Sequence, residues 1–253
     1  MRYLGSEYRG RGITVAIIDS GVNVDDPRLA GVSIEGWSIE LGATGHALLK
    51  PDFTDENGHG TEIAVAVHRM APEARLLAVK IMGKRLRTSA ELMAAGIETS
   101  AREGAEIINL SLGTPNMGKA LFLRDCCANA VEAGSIVLAA AHPKGDRAYP
   151  ADLPETIGVA AHKDCPIDKV YYFDPTRFSR KQWGALSGKF LTHGYGITKD
   201  NQKGRYRGSG VAAAYLSGVM ACMREARQDV SAEDLVQSLR TWSLIPMPAM
   251  GYS

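Results

Sequence analysis

The stretch Gly208-Ser209-Gly210-Val211-Ala212-Ala213-Ala214-Tyr215-Leu216-Ser217-Gly218, continued by Val219-Met220-Ala221-Cys222-Met223, has no polar face before Arg224 apart from Ser217. A helix that is apolar on nearly every side is a buried helix. This one is shorter than the about 20 apolar residues that a bilayer span requires. The pattern therefore predicts a helix inside a packed domain. Its entry, Gly208-Ser209-Gly210, suits a tight turn that carries a small hydroxyl residue to a helix N-terminus. Two readings fit that entry: a capped core helix, and a nucleophilic serine at the mouth of a central helix.

A chain of 253 residues is long enough to enclose such a helix in one large α/β domain. No linker, repeat or low-complexity tract interrupts it, so residues 1–253 read as a single domain. With 45% hydrophobic and 23% charged residues and a formal net charge of +1, nothing points to nucleic acid or a membrane surface as partner. The N-terminal residues hold no apolar run of the kind a secretory signal needs. Cys126, Cys127, Cys165 and Cys222 form no C-x-x-C, and two are adjacent, so reduced thiols in a cytoplasmic protein are the simplest account.

Taken in order, Gly12-Ile13-Thr14-Val15-Ala16-Ile17-Ile18 reads as a strand buried on both faces of a parallel sheet, stopped by Asp19-Ser20-Gly21. Ligands of such sheets sit beyond the carboxyl ends of strands, which puts Asp19 where a site forms, although an aspartate there can equally be a turn former. Residues 23–58 read as irregular or hairpin structure. His59 stands between Gly58 and Gly60 at the first turn of a helix, reachable and flanked by residues that permit close backbone approach. It is a candidate general base, or else a capping residue.

Strands are predicted at 74–81, 106–113, 135–141 and 156–161, and helices at 89–103, 119–133 and from Ser231 to Leu239. The alternation implies βαβ units around a mainly parallel sheet. No Gly-rich phosphate loop follows a strand, which argues against a nucleotide-binding domain. Residues 162–207 carry no clear assignment.

Asp19-Ser20-Gly21, Asn57-Gly58-His59-Gly60-Thr61 and Gly208-Ser209-Gly210 occur in the order Asp, His, Ser, the order found in subtilisin. Asn109-Leu110-Ser111-Leu112-Gly113 resembles the substrate-binding strand of the subtilase family. Val137 to Ala141 resembles the strand leading to its oxyanion residue, and Tyr149-Pro150 the turn beyond. From about Gly12 to about Leu239 the chain is similar to a subtilase catalytic domain, residues 162–207 fitting poorly.

The resemblance implies a three-layer α/β/α fold with a mainly parallel central sheet, and a serine endopeptidase acting on peptides or proteins. Asp19 would orient the imidazole, His59 would shuttle the proton, and a serine at the start of the central helix would attack the carbonyl. Asn109, Ser111, Leu112 and Gly113 would bind substrate, the last three by pairing with it as an added strand. Lys84, Arg85 and Arg87 stand where the family lines its cleft and suggest acidic substrate residues, or simply a solvated loop.

The chain departs from the family at two points. Counting back from Gly218 without gaps, the family's G-T-S-x-A falls on Gly208-Ser209-Gly210-Val211-Ala212, so Gly210 takes the nucleophile's place and Ser209 the threonine's. At the oxyanion position, His142-Pro143 replaces Gly-Asn. Pro143 has no side-chain donor and no N–H, and His142 could donate only from a register one residue off.

The helix after His59 runs directly to Met70-Ala71-Pro72, without the calcium loop of secreted relatives, so no metal and no cofactor is expected. No inhibitory propeptide precedes Gly12 in this reading. Two expectations follow: an endopeptidase working through Ser209, suited to specialised peptide maturation, or a pseudopeptidase that binds a peptide or partner in the retained cleft.

Overall fold

The protein is described by a computed structural model over residues 8–142, 144–162, 164–177, 188–197 and 203–244. Nine strands form the main sheet: β1 (Thr14–Asp19), β2 (Ile34–Leu41), β3 (Ala47–Lys50), β4 (Arg75–Lys80), β5 (Ile107–Leu110), β6 (Ile136–Ala140), β7 (Ile157–His162), β8 (Tyr171–Tyr172) and β9 (Phe190–His193). Their order across the sheet is β3-β2-β4-β1-β5-β6-β7-β9-β8. All neighbours are parallel except the two outermost pairs, β2–β3 and β8–β9. A separate antiparallel pair, β10 (Tyr195–Ile197) and β11 (Lys203–Arg207), leads into the apolar stretch.

Successive side chains of a strand point to opposite faces, and β1 shows the consequence. Val15 and Ile17 pack with α1 (His59–Met70), α4 (Ser209–Ala226) and α5 (Ala232–Trp242) on one side. Ala16 and Ile18 pack with α2 (Ala90–Arg102) and α3 (Ala120–Glu132) on the other. The result is the three-layer α/β/α architecture with a mainly parallel sheet that the sequence implies.

α4 is the apolar stretch, buried from Val211 to Ala221. Among the described residues no helix is long and apolar enough to cross a membrane. Ser89 and Ser231 cap α2 and α5 by accepting from Leu92 N at 3.2 Å and Asp234 N at 3.0 Å.

The sheet reaches further than the sequence suggests. Residues 34–41, expected as irregular or hairpin structure, do turn back antiparallel onto β3, but β2 also lies parallel to β4. Ile39 is the only fully buried residue of β2, so its pattern carries little apolar signal. In the unassigned region, β8 to β11 are each five residues or fewer, too short to show a period.

Close approach of α4 to α1 depends on Gly218. A Cβ there would lie 2.5 Å from Met70 Cβ and 2.9 Å from the Val67 carbonyl oxygen. Replacing glycine by alanine in a helix gains about 1 kcal/mol in propensity, whereas overpacking costs about 1–3 kcal/mol. The carbonyl cannot rotate aside as a side chain can, so the cost dominates. Gly218→Ala is expected to lower the urea midpoint, corresponding to a net loss of about 1–2 kcal/mol; an unchanged or higher midpoint would contradict this packing.

Candidate active site

Asp19 ends β1 in the interior and is fully buried. Its Oδ1 accepts from Ser20 N at 2.7 Å and from His59 Nδ1 at 2.8 Å. Its Oδ2 accepts from the Ser111 hydroxyl and lies 3.0 Å from the same imidazole nitrogen. Nδ1 faces a carboxylate and so carries the proton, which leaves Nε2 as the basic nitrogen of the neutral ring. The ring of Tyr206 meets the imidazole edge-on at 5.6 Å, and its hydroxyl donates to Asn57 O at 2.8 Å. Thus Asp19 and His59, singled out in the sequence, come together as a hydrogen-bonded pair.

The loop that presents His59 is built on Asp55, a residue the sequence reading passed over. Asp55 accepts from Ser20 Oγ, Asn57 N and Gly58 N, each at 2.9 Å. It also accepts from Thr61 N at 2.9 Å and Thr61 Oγ1 at 2.6 Å. Burial works to raise its pKa, but the Thr61, Gly58 and Asn57 donors outweigh burial and hold the carboxyl below its ordinary value. An aspartate four residues ahead of a helix whose first N–H groups need acceptors was the available signal.

Backbone contact completes the lock. A Cβ on Gly60 would lie 2.1 Å from Gly21 O, and Gly21, at φ +101°, sits against Phe53 O. Only glycine permits that approach.

The start of α4 separates the two nucleophile candidates. Ser209 is 8% exposed, and among the described residues its hydroxyl makes no hydrogen bond to His59. A Cβ on Gly210 would lie 3.0 Å from both Ser111 Cβ and Ser111 O. The Ser111 hydroxyl is the one that reaches Asp19, so position 210 packs beside a residue bonded to the Asp–His pair. Successive residues of a helix diverge by about 100°, so Ser209 and residue 210 present their side chains in different directions. Ser209 and Gly210, the two positions that the sequence leaves open for the nucleophile, are thus adjacent at the mouth of α4.

Among the expected substrate residues, Asn109 is fully buried and its Oδ1 accepts from Ser217 Oγ of α4 at 3.1 Å. Its side chain is turned into the core toward α4 rather than to the surface. Ser111 and Leu112 are half-buried and Gly113 is exposed. Among the described residues these three make no backbone hydrogen bond. Pairing resumes at Thr114, which exchanges two 2.8 Å bonds with Tyr149.

His142 turns toward its own loop, Nδ1 lying 3.4 Å from Asp146 Oδ2, and makes no hydrogen bond to His59 among the described residues. Pro143 lies outside them. Burial pushes the thiols of Cys126, Cys127 and Cys165 up to about 12 and that of Cys222 to about 11, so none is a ready nucleophile. Among the described residues no cluster of three His, Cys, Asp or Glu side chains is arranged to hold a metal.

A parallel sheet between helical layers, with an aspartate at a central strand end bonded to a histidine at a helix mouth, is the architecture of a subtilisin-like α/β protein. The model of the subtilase family, peptidase S8, matches residues 10–244, and the chain belongs to that family. It is 35% identical to thermitase of Thermoactinomyces vulgaris over 168 residues, 60% of this chain and 56% of that protein. The major intracellular serine protease of Bacillus subtilis (strain 168) is 27% identical over 250 residues, 91% of this chain and 74% of that protein. The fold matches the crystal structure of a lanthipeptide protease with a TM-score of 0.72 at 18% identity, over 95% of this chain and 83% of that one. The match to thermitase thus spans little more than half of that relative.

Burial, the largest influence on His59, lowers its pKa. The hydrogen bond and charge of Asp19, aided by the charges of Asp55 and Glu62, outweigh it and leave the value above the usual 6.5. A folded value above the unfolded one means the protonated ring stabilises the fold. That contribution is complete below the unfolded value and is lost as pH rises through the folded one. Asp19→Asn is expected to lower the His59 pKa in an NMR titration, and the stability gap between the two proteins should shrink across the same rise. An unshifted titration in the variant would contradict the pairing.

Proposed function

We propose that this chain is a pseudopeptidase of the subtilase family that binds a peptide or protein segment in its cleft without cutting it through an acyl-enzyme. The observation that carries the reading is Gly210: the α4 position packed against Ser111, whose hydroxyl reaches Asp19, has no side chain. His59 Nε2 could take a proton from a hydroxyl placed there, but residue 210 has none to give. In subtilisin, loss of the nucleophilic serine costs about 10⁶ in turnover. An oxyanion donor is worth about 10²–10³, and Pro143 offers neither a side-chain donor nor an N–H at that position. Binding needs neither group. Ser111–Gly113 have backbone donors and acceptors available to pair with an extended peptide as an added strand.

The intact Asp19–His59 hydrogen bond favours a second reading, an endopeptidase of specialised peptide processing that uses Ser209. That route requires the first turn of α4 to rotate by about 100°, breaking the register that aims residue 210 at Ser111. Similarity to relatives named intracellular serine proteases supports a cytoplasmic location for either reading.

Gly210→Ser would restore the hydroxyl once Ser111 yields by a few tenths of an ångström. The expected outcome is a gain of ester hydrolysis over the wild type that is lost again with His59→Ala, still weak because no oxyanion donor is supplied. Ser209→Ala should leave the wild-type background untouched. A wild-type hydrolysis that Ser209→Ala abolishes would overturn the proposal in favour of the second reading.

A further inference from the structure

The parallel strand order β4-β1-β5-β6 brings the loops that follow β4, β5 and β6 to one edge of the sheet, with β5 between the other two. The β4 loop carries Lys84, Arg85 and Arg87, all exposed, and the β6 loop carries exposed Lys144 and Arg147. Among the described residues none of these five cations has a carboxylate within ion-pair distance. Several cations elsewhere are paired: Arg28 with Asp26 and Glu62, Lys119 with Glu91, Arg124 with Glu155 and Lys189 with Asp152.

Acids on this edge are mostly engaged inward. Asp19 holds His59, and Asp55 holds the loop donors, which leaves Glu56 and Asp146 near the surface. The β4 loop is anchored beside the histidine by Asn57 Nδ2, which donates to Lys84 O at 3.0 Å. On a chain of net charge +1, five exposed cations on two loops flanking one open strand are a local concentration of charge, although the Arg147 guanidinium also meets the Tyr149 side chain and the charge of Asp152.

We propose that the occupant of this cleft is an acidic extended segment. Its main chain pairs with Ser111–Gly113, and its Asp or Glu side chains lie between the β4 and β6 loops. The inference rests on the peptide-binding reading above and adds the class of peptide. Two observations carry it: backbone groups at Ser111–Gly113 that are unpaired among the described residues, and exposed cations on the loops to both sides. The open edge favours a polypeptide over a nucleic acid, because it offers alternating donors and acceptors at strand spacing.

Exposed ion pairs are individually weak and screened by salt, so the preference must be built from several and must fade as salt rises. The test is fluorescence anisotropy on the full chain with three labelled octapeptides that share their apolar residues and carry Glu, Gln or Lys at the remaining positions. The Glu peptide is expected to bind about tenfold more tightly than the Gln peptide at low salt, with the ratio falling toward one near 0.5 M salt. Combined Lys84→Ser, Arg85→Ser and Arg87→Ser substitution should collapse that ratio, whereas Arg102→Ser, on the far end of α2, should not. Equal binding of the Glu and Gln peptides would overturn the acidic inference and leave the peptide-binding reading standing. No binding of any peptide would overturn both. A single-stranded oligonucleotide that displaces the Glu peptide at lower concentration than the unlabelled peptide itself would overturn the choice of a polypeptide.

Discussion

A carboxylate with no exposure to water has to be compensated by the groups around it, and Asp19 is such a carboxylate at the centre of this molecule. Its compensation comes from three separate parts of the chain: the following backbone N–H of Ser20, the imidazole of His59, and the hydroxyl of Ser111 beyond β5. Satisfying one group therefore fixes the end of β1, the mouth of α1 and the exit of β5 relative to each other. Ser20 extends the arrangement by donating to Asp55 and accepting from Gly60 N at 3.0 Å, so the histidine loop is held from both ends.

This network changes what retention of the Asp–His pair means. In a working serine peptidase the pair activates a hydroxyl, and its survival would argue for chemistry. Here the same two side chains also meet the needs of a buried charge, and removing either leaves the other poorly compensated. The pair thus has a structural reason to persist when position 210 is glycine. Loss of the hydroxyl carries no comparable penalty, because Gly210 lies against Ser111 and leaves no buried polar atom behind.

Much of this was legible in the sequence. The unbroken apolar character of residues 211–223 announced a buried helix, and the β-branched run ending at Asp19 announced a central strand with a site at its end. The motif order supplied the family, and the gapless spacing from Gly218 aligned Gly210 with the family's nucleophile and Ser209 with its threonine. Other features left little trace. Asp55 acts through backbone N–H groups, which every sequence has, so its importance lies in geometry. Asn109 belongs to a motif of the substrate strand, yet alternation along β5 sends its side chain into the core toward Ser217. β2 lies beside β4 with only Ile39 fully buried, and a strand that faces solvent along most of its length carries a weak apolar signal.

The central claim is that no hydroxyl in this cleft is activated by His59. Intact-mass analysis of the folded wild-type chain after exposure to a fluorophosphonate tests it directly, since such a probe bonds covalently only to an activated serine. The account predicts unmodified protein at a probe concentration that fully labels an active subtilase run alongside. A single stoichiometric adduct that maps to Ser209 and disappears with His59→Ala would contradict it.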